Sequence, residues 1–277
     1  MEIENNSFDI ILPASDHPTP LVIYIHGGGF AMGQKNEPYG WRNKDIAYFL
    51  DHKIAFATIN YRFFKPDDSA GVNVCLQDIR KAIQYIKHNS KRYNIDKELV
   101  GCYGTSAGAG SSLYLAFHDD FARINDTSLY GESTRLRCAG AIATQATYDL
   151  FRWMDYIPGL RMVVNLKKKQ FYPAIANFYG YQDYKGFEPV RKRVTHELDM
   201  LDMISPDDPP VYVMNLQKQR LPINYNYIQH HRRHALILAK IMEKQQLEFI
   251  VYTRNHQIKH EKDIPYPLRV FMAEHLK

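Results

Sequence analysis

Apolar runs of strand length recur along this chain with amphipathic segments between them, and that alternation limits the fold more than any other feature. The runs lie at 21–25, 54–60, 99–103, 138–144, 211–214 and 249–252. They are nearly continuous rather than alternating, the pattern of strands covered on both faces. Between them, Cys75, Ile79, Ala82, Ile83 and Ile86 share one face at helical period. Further helices are predicted over about 230–244 and 265–276. The order implies βαβ units and therefore an α/β fold, a mostly parallel sheet with helices on both faces.

The segment from about 150 to 203 interrupts the alternation. It is crowded with aromatic residues, among them Phe151, Trp153, Tyr156, Phe171, Tyr172, Phe178 and Tyr179. Lying between two core strands, it is expected to be an inserted lid on a single domain spanning 1–277. With 277 residues the chain is long enough for one large core.

Two motifs carry chemistry. Gly104-Thr105-Ser106-Ala107-Gly108 follows the run at 99–103 and precedes a helix-forming stretch at 109–117. In that setting G-x-S-x-G makes a nucleophile elbow, a sharp turn that lifts the Ser106 hydroxyl above the sheet. His26-Gly27-Gly28-Gly29-Phe30 directly follows the first run. Consecutive glycines let backbone N–H groups point into a cavity, where they stabilise the oxyanion of acyl transfer. Gly27, Gly28 and Ala107 are the expected donors, and His26 is expected to be structural.

With these residues the chain resembles the α/β-hydrolase superfamily, and within it the HGGG-type serine esterases, of the hormone-sensitive-lipase-like and acetyl- or feruloyl-esterase-like kinds. Asn60-Tyr61-Arg62 and Asp78 match framework positions of that pattern, and Ser205-Pro206 with Pro209-Pro210-Val211 matches the entry to the penultimate strand. The resemblance implies a carboxylic ester hydrolase working through a covalent acyl-serine, on short-chain, aromatic or carbohydrate esters.

The resemblance also implies an acid after the penultimate strand and a histidine after the last. Aligned on Pro222, the acid position falls on Lys218 or Gln219, and no Asp or Glu occurs between Asp208 and Glu243. His256 stands within one residue of the histidine position, in a turn without glycines. His260 is the second candidate for the base, and His230 and His231 are others. Asp149, just beyond the run at 138–144, is the leading carboxylate, with an N-cap as its other reading. Glu261 and Asp263 adjoin His260. A Ser–His dyad, and a binding or scaffold protein that has lost the chemistry, remain open.

Other classes find little support. The formal charge of +5 is spread over short clusters at 167–169, 191–193 and 232–233, so no nucleic-acid partner is expected. Three cysteines without metal spacing indicate neither a disulfide framework nor a metal, and no cofactor is expected. No apolar stretch is long enough to span a membrane. The residues 1–6 read as no secretory signal, so the chain as given is expected to be cytoplasmic. The oligomeric state is not legible.

Overall fold

The structure is a computed structural model that describes residues 6–66, 68–218, 220–254, 256–258 and 266–277, the side chains of 256–258 excepted. The strands are β1 (Phe8–Ile11), β2 (Thr19–Ile25), β3 (Ala55–Ile59), β4 (Ile95–Thr105), β5 (Cys138–Ile142), β6 (Val211–Asn215), β7 (Phe249–Thr253) and β8 (His256–Ile258). Among the described residues they form one sheet in the order β1-β3-β2-β4-β5-β6-β7-β8. The middle strands pair in parallel, while β1 on β3 and β8 on β7 are antiparallel edges.

The apolar runs become the parallel strands because both of their faces are covered. Leu21, Ile23 and Ile25 enter one core layer and Val22 and Tyr24 the other, all of them fully buried. On the first face lie α1 (Asn73–His88), whose Cys75, Ile79, Ile83 and Ile86 pack inward, and α2 (Ala107–Phe117). On the opposite face, α7 (Leu268–His275) packs through Leu268, Phe271 and Met272.

Every residue of α2 is buried. Its small residues permit this. A Cβ on Gly108 would stand 2.0 Å from the carbonyl oxygen of Ile25, so only glycine lets this helix approach β2.

Between β5 and β6 run several short helices, including α3 (Leu160–Leu166) and α4 (Lys168–Phe178). Trp153, Leu160, Val163, Phe171, Ile175, Tyr179 and Phe187 are buried and join the first core layer. After β6 come α5 (Tyr225–Gln229) and α6 (Arg233–Lys244). The single helix predicted from about 230 therefore begins later, and His230 to Arg232 lie in the break between two helices. The histidine turn after the last run also differs, since residues 256–258 fold back as β8, with His256 opposite Thr253. A three-residue edge strand carries no periodic signal, so the sequence did not announce it.

Candidate active site

The site lies where the sheet changes direction. From β2 the chain moves one way to β3, then crosses to β4 on the other side, leaving a crevice at the carboxyl ends of β2 and β4. These strands pair directly, Ile25 beside Gly104, so the loops that follow them adjoin. Both sequence motifs are those loops.

Ser106 is the turn between β4 and α2. Its backbone is at φ 55° and ψ −116°, a left-handed conformation that costs a non-glycine residue on the order of 1–3 kcal/mol. The surroundings hold it there: its N–H donates to Ile142 O at 2.9 Å, and its carbonyl accepts from Gly110 N at 3.0 Å.

Opposite it, the loop after β2 is built against the elbow. A Cβ on Gly27 would lie 2.7 Å from Thr105 O and 3.3 Å from Ser106 Cβ. Gly28, at φ 100°, accepts from the amides of Ala31 and Met32 through its carbonyl. Gly29, at φ 63°, lines the cavity over Ser106 together with Ala107. Outside the helix and strand ladders, no backbone acceptor among the described residues is bonded to the amides of Gly27, Gly28, Gly29 or Ala107. Gly29 was not among the expected donors, although the glycine run itself signalled it. His26 is fully buried, stacks on Tyr61 at 4.3 Å between ring centroids, and donates from Nδ1 to Gly27 O at 2.8 Å. Burial pushes it down to about 4, so it is neutral and braces the loop.

The histidine beside Ser106 is His230. Its Nε2 lies 2.8 Å from Ser106 Oγ, and its Nδ1 lies 2.8 Å from Asn226 Oδ1. An amide oxygen accepts only, so Nδ1 carries the proton and Nε2 presents its lone pair to the serine hydroxyl. That is the tautomer a general base requires. Asn226 and His230 are four residues apart, one helical turn, and α5 sets them on one face. Burial lowers the pKa of His230 from its ordinary value.

The neighbouring histidines do other work. His231 is buried, accepts from Arg233 N at 3.2 Å, and is pushed down to about 4, chiefly by burial. His234 is fully buried: Nδ1 accepts from Ala146 N at 3.1 Å and from Tyr156 Oη at 2.9 Å, and Nε2 donates to Ile228 O at 3.0 Å. It thus ties the turn after β5, the segment after it and α5 together.

Asp149 does not stand behind this base. Its Oδ1 accepts from the amides of Phe151 at 2.9 Å and Arg152 at 3.3 Å, which caps the turn that opens the segment after β5. Burial pushes its carboxyl above the usual range, and neighbouring Asp199 adds to this. The N-cap reading describes its contacts, because two free amides one turn ahead are nearer partners than a distant imidazole. The backbone of His256 is in β8, but its side chain lies outside the described residues, as do all of His260, Glu261 and Asp263. Lys218 and Gln219 bring no carboxylate to the loop after β6, and Gln219 is itself outside the described residues.

Ser106 opens into a cavity of about 210 Å3. Its walls include Phe30, Phe64, Tyr148, Leu150, Trp153, Ile175, Phe178 and Tyr225, and no lining residue is charged. Gln145 is the polar side chain beside it, donating to Gln229 O at 3.0 Å. A hydroxyl with a neutral imidazole at 2.8 Å, next to unbonded amides in an apolar cavity, can carry out nucleophilic attack on a carbonyl. No metal-ligating cluster occurs among the described residues, and none of their helices is long and apolar enough to cross a membrane.

The family model BD-FAE matches residues 8–238. A neuroligin-like protein, glit-1, of Caenorhabditis elegans is 33% identical over 104 residues, 36% of this chain and 13% of that protein. Juvenile hormone esterase of Tribolium castaneum is 32% identical over 98 residues, 33% of this chain and 16% of that protein. The matched stretch thus spans less than a fifth of the length of these curated relatives. Among solved structures, the acetyl ester-xyloside bifunctional hydrolase of Caldicellulosiruptor lactoaceticus superposes with a TM-score of 0.62 at 17% identity, over 90% of this chain and 77% of that one. The likeness is one of fold, and it matches the sheet and helices described above.

Proposed function

The chain belongs to the BD-FAE family, within the α/β-hydrolase esterase superfamily, and from that premise we propose that it is a carboxylic ester hydrolase with Ser106 as nucleophile and His230 as general base. The observation that carries the reading is the 2.8 Å contact between Ser106 Oγ and His230 Nε2 at a strained elbow. As Oγ bonds to the ester carbonyl carbon, its proton passes to Nε2 and the carbonyl oxygen becomes an oxyanion. The amides of Gly28, Gly29 and Ala107 are the donors available to it. The tetrahedral species collapses, the carbon–alkoxide bond breaks, and the leaving oxygen takes the proton from Nε2. Water then attacks the acyl-serine by the same route and releases the acid.

The cavity supports acyl groups that are short or carry one small ring. Its volume of about 210 Å3, with Trp153, Ile175 and Phe178 among its walls, suits a short acyl group better than a long chain. Segment 150–203 would act as its cover. One observation favours a second reading, a binding protein that kept the cavity: Asn226, not a carboxylate, stands behind His230.

Turnover of p-nitrophenyl acetate, butyrate and palmitate separates the two. The enzyme reading expects acetate and butyrate to be hydrolysed faster than palmitate. It also expects Ser106→Ala and His230→Ala each to lower turnover by at least ~100-fold, the scale of a general base. Absence of turnover by the unmodified protein would favour the binding reading; retained turnover in both folded variants would overturn the assignment of Ser106 and His230.

A further inference from the structure

In the pairing proposed above, the group behind the histidine is an amide, and it belongs to the short helix α5 that His230 directly follows as its C-cap. We propose that Asn226 is the positioning residue of the site: its Oδ1 fixes the Nδ1–H tautomer of His230, so that Ser106, His230 and Asn226 form a hydroxyl–imidazole–amide relay without charge. This rests on the reading of Ser106 and His230 as nucleophile and base.

Three observations carry it. Both imidazole nitrogens are engaged at 2.8 Å, Nε2 by Ser106 Oγ and Nδ1 by Asn226 Oδ1. The helical spacing is fixed in turn by Asn224, whose Oδ1 accepts from Tyr227 N at 3.0 Å and caps α5. Third, among the described residues no carboxylate is hydrogen-bonded to His230 in place of Asn226. The charged groups on the described segments around His230 include Arg232 and Arg233 at the opening of α6, Arg220 against the Tyr227 ring, and Lys168 and Lys169 at the start of α4; His231, His234, Tyr225 and Tyr227 are the titratable neighbours, and the one carboxylate of α6, Glu243, stands near its far end. The cavity wall below Ser106 carries no charged side chain; its titratable groups are Tyr148 and Tyr225.

An amide and a carboxylate differ here in a definite way. Either oxygen orients the ring. Only a carboxylate stabilises the imidazolium that forms as the serine proton arrives. The relay is therefore oriented but uncompensated: a pH-tolerant base that stays neutral in mild acid, at the expense of rate. Asn226 is exposed, so its replacement leaves the core untouched.

The test uses the full chain with Asn226→Leu and Asn226→Asp, assayed on p-nitrophenyl acetate across pH, with circular dichroism and melting temperature as controls. Asn226→Leu keeps the bulk and removes the acceptor; kcat should fall by at least ~10-fold with KM little changed and the fold unaltered. Asn226→Asp should raise the midpoint of the acidic limb by about one unit, since an opposite charge beside imidazole favours its protonated form, and should raise kcat above that of the unmodified protein. A merely structural Asn226 would move melting temperature but neither the pH midpoint nor the ratio of kcat to KM. Wild-type kcat and midpoint in both variants would overturn the proposal. Fluorophosphonate labelling separates this from failure of the parent reading. If Ser106 is labelled and the Asn226 variants are neutral, only the relay is wrong; if Ser106 is not labelled, the nucleophile assignment falls and the relay with it.

Discussion

At the scale of single residues, identity was legible where the backbone demanded it and illegible where only tertiary structure decides. Gly27, Gly108 and Ser106 could be read because a close approach or a strained turn accepts few residues: a Cβ at either glycine would meet backbone oxygen, and Ser106 sits at φ 55°. The base was different. His230 was one of several candidates, and His256 ranked ahead of it because the family's histidine follows the last strand. A signal did exist: Asn226 and His230 at a spacing of four, just after the cap-forming Asn224, sit beyond the strand where an acid was sought and missed. The burial of His230 has a kinetic consequence. As the proposed base, His230 works only when neutral, and burial lowers its pKa. The acidic limb of kcat/KM should therefore have its midpoint below 6.5, the unperturbed value for histidine. A midpoint near 7.5 would mean that a carboxylate supports the base after all.

At the scale of elements, the parallel strands matched their apolar runs closely, because burial on both faces leaves an unbroken signal. The edge strands β1 and β8 and the short helices between β5 and β6 were missed, since each is too short for its period to register. The decisive short element is α5. It has five residues, far below the length at which a helix is stable alone, so its cap and its tertiary ties must hold it. Those ties are Asn224 at its start, and His234 on the Ile228 carbonyl. Asn224→Ala should cost about 1 kcal/mol of stability, the usual worth of an N-cap. It should lower turnover by more than that loss of folded protein explains, because the base rides on this helix. Thermal unfolding and kcat measured on the same samples check this; unchanged kcat alongside a lowered melting temperature would detach α5 from the chemistry.

At the scale of the whole molecule, the site is a product of strand order. The crevice at the carboxyl ends of β2 and β4 exists because the connections reverse there, and both readable motifs fall in it. The same packing that lines the cavity with apolar side chains buries histidines in neutral form. His26 is held at about 4 and His234 at about 3, both fully buried, against 6.5 in an unfolded chain. Between 6.5 and these values the unfolded chain binds protons that the folded one refuses, so stability is lost as the pH is lowered, by at most about 1.4 kcal/mol per unit for each histidine. Asp208, raised to about 6 by burial, acts in the opposite sense, as do Glu37 and Asp149, while His230 and His231 are lowered like His26 and His234. Urea unfolding should show a lower midpoint at pH 5 than at pH 7; an equal or higher midpoint would contradict the buried-neutral assignment.

The pairing of Ser106 with His230 is tested most directly by reacting the protein with a fluorophosphonate and mapping the adduct by mass spectrometry, in the unmodified chain and in His230→Ala. The adduct is expected on Ser106, forming at least ~100-fold more slowly once the imidazole is gone. An adduct on another residue, or an undiminished rate in His230→Ala, would contradict the account.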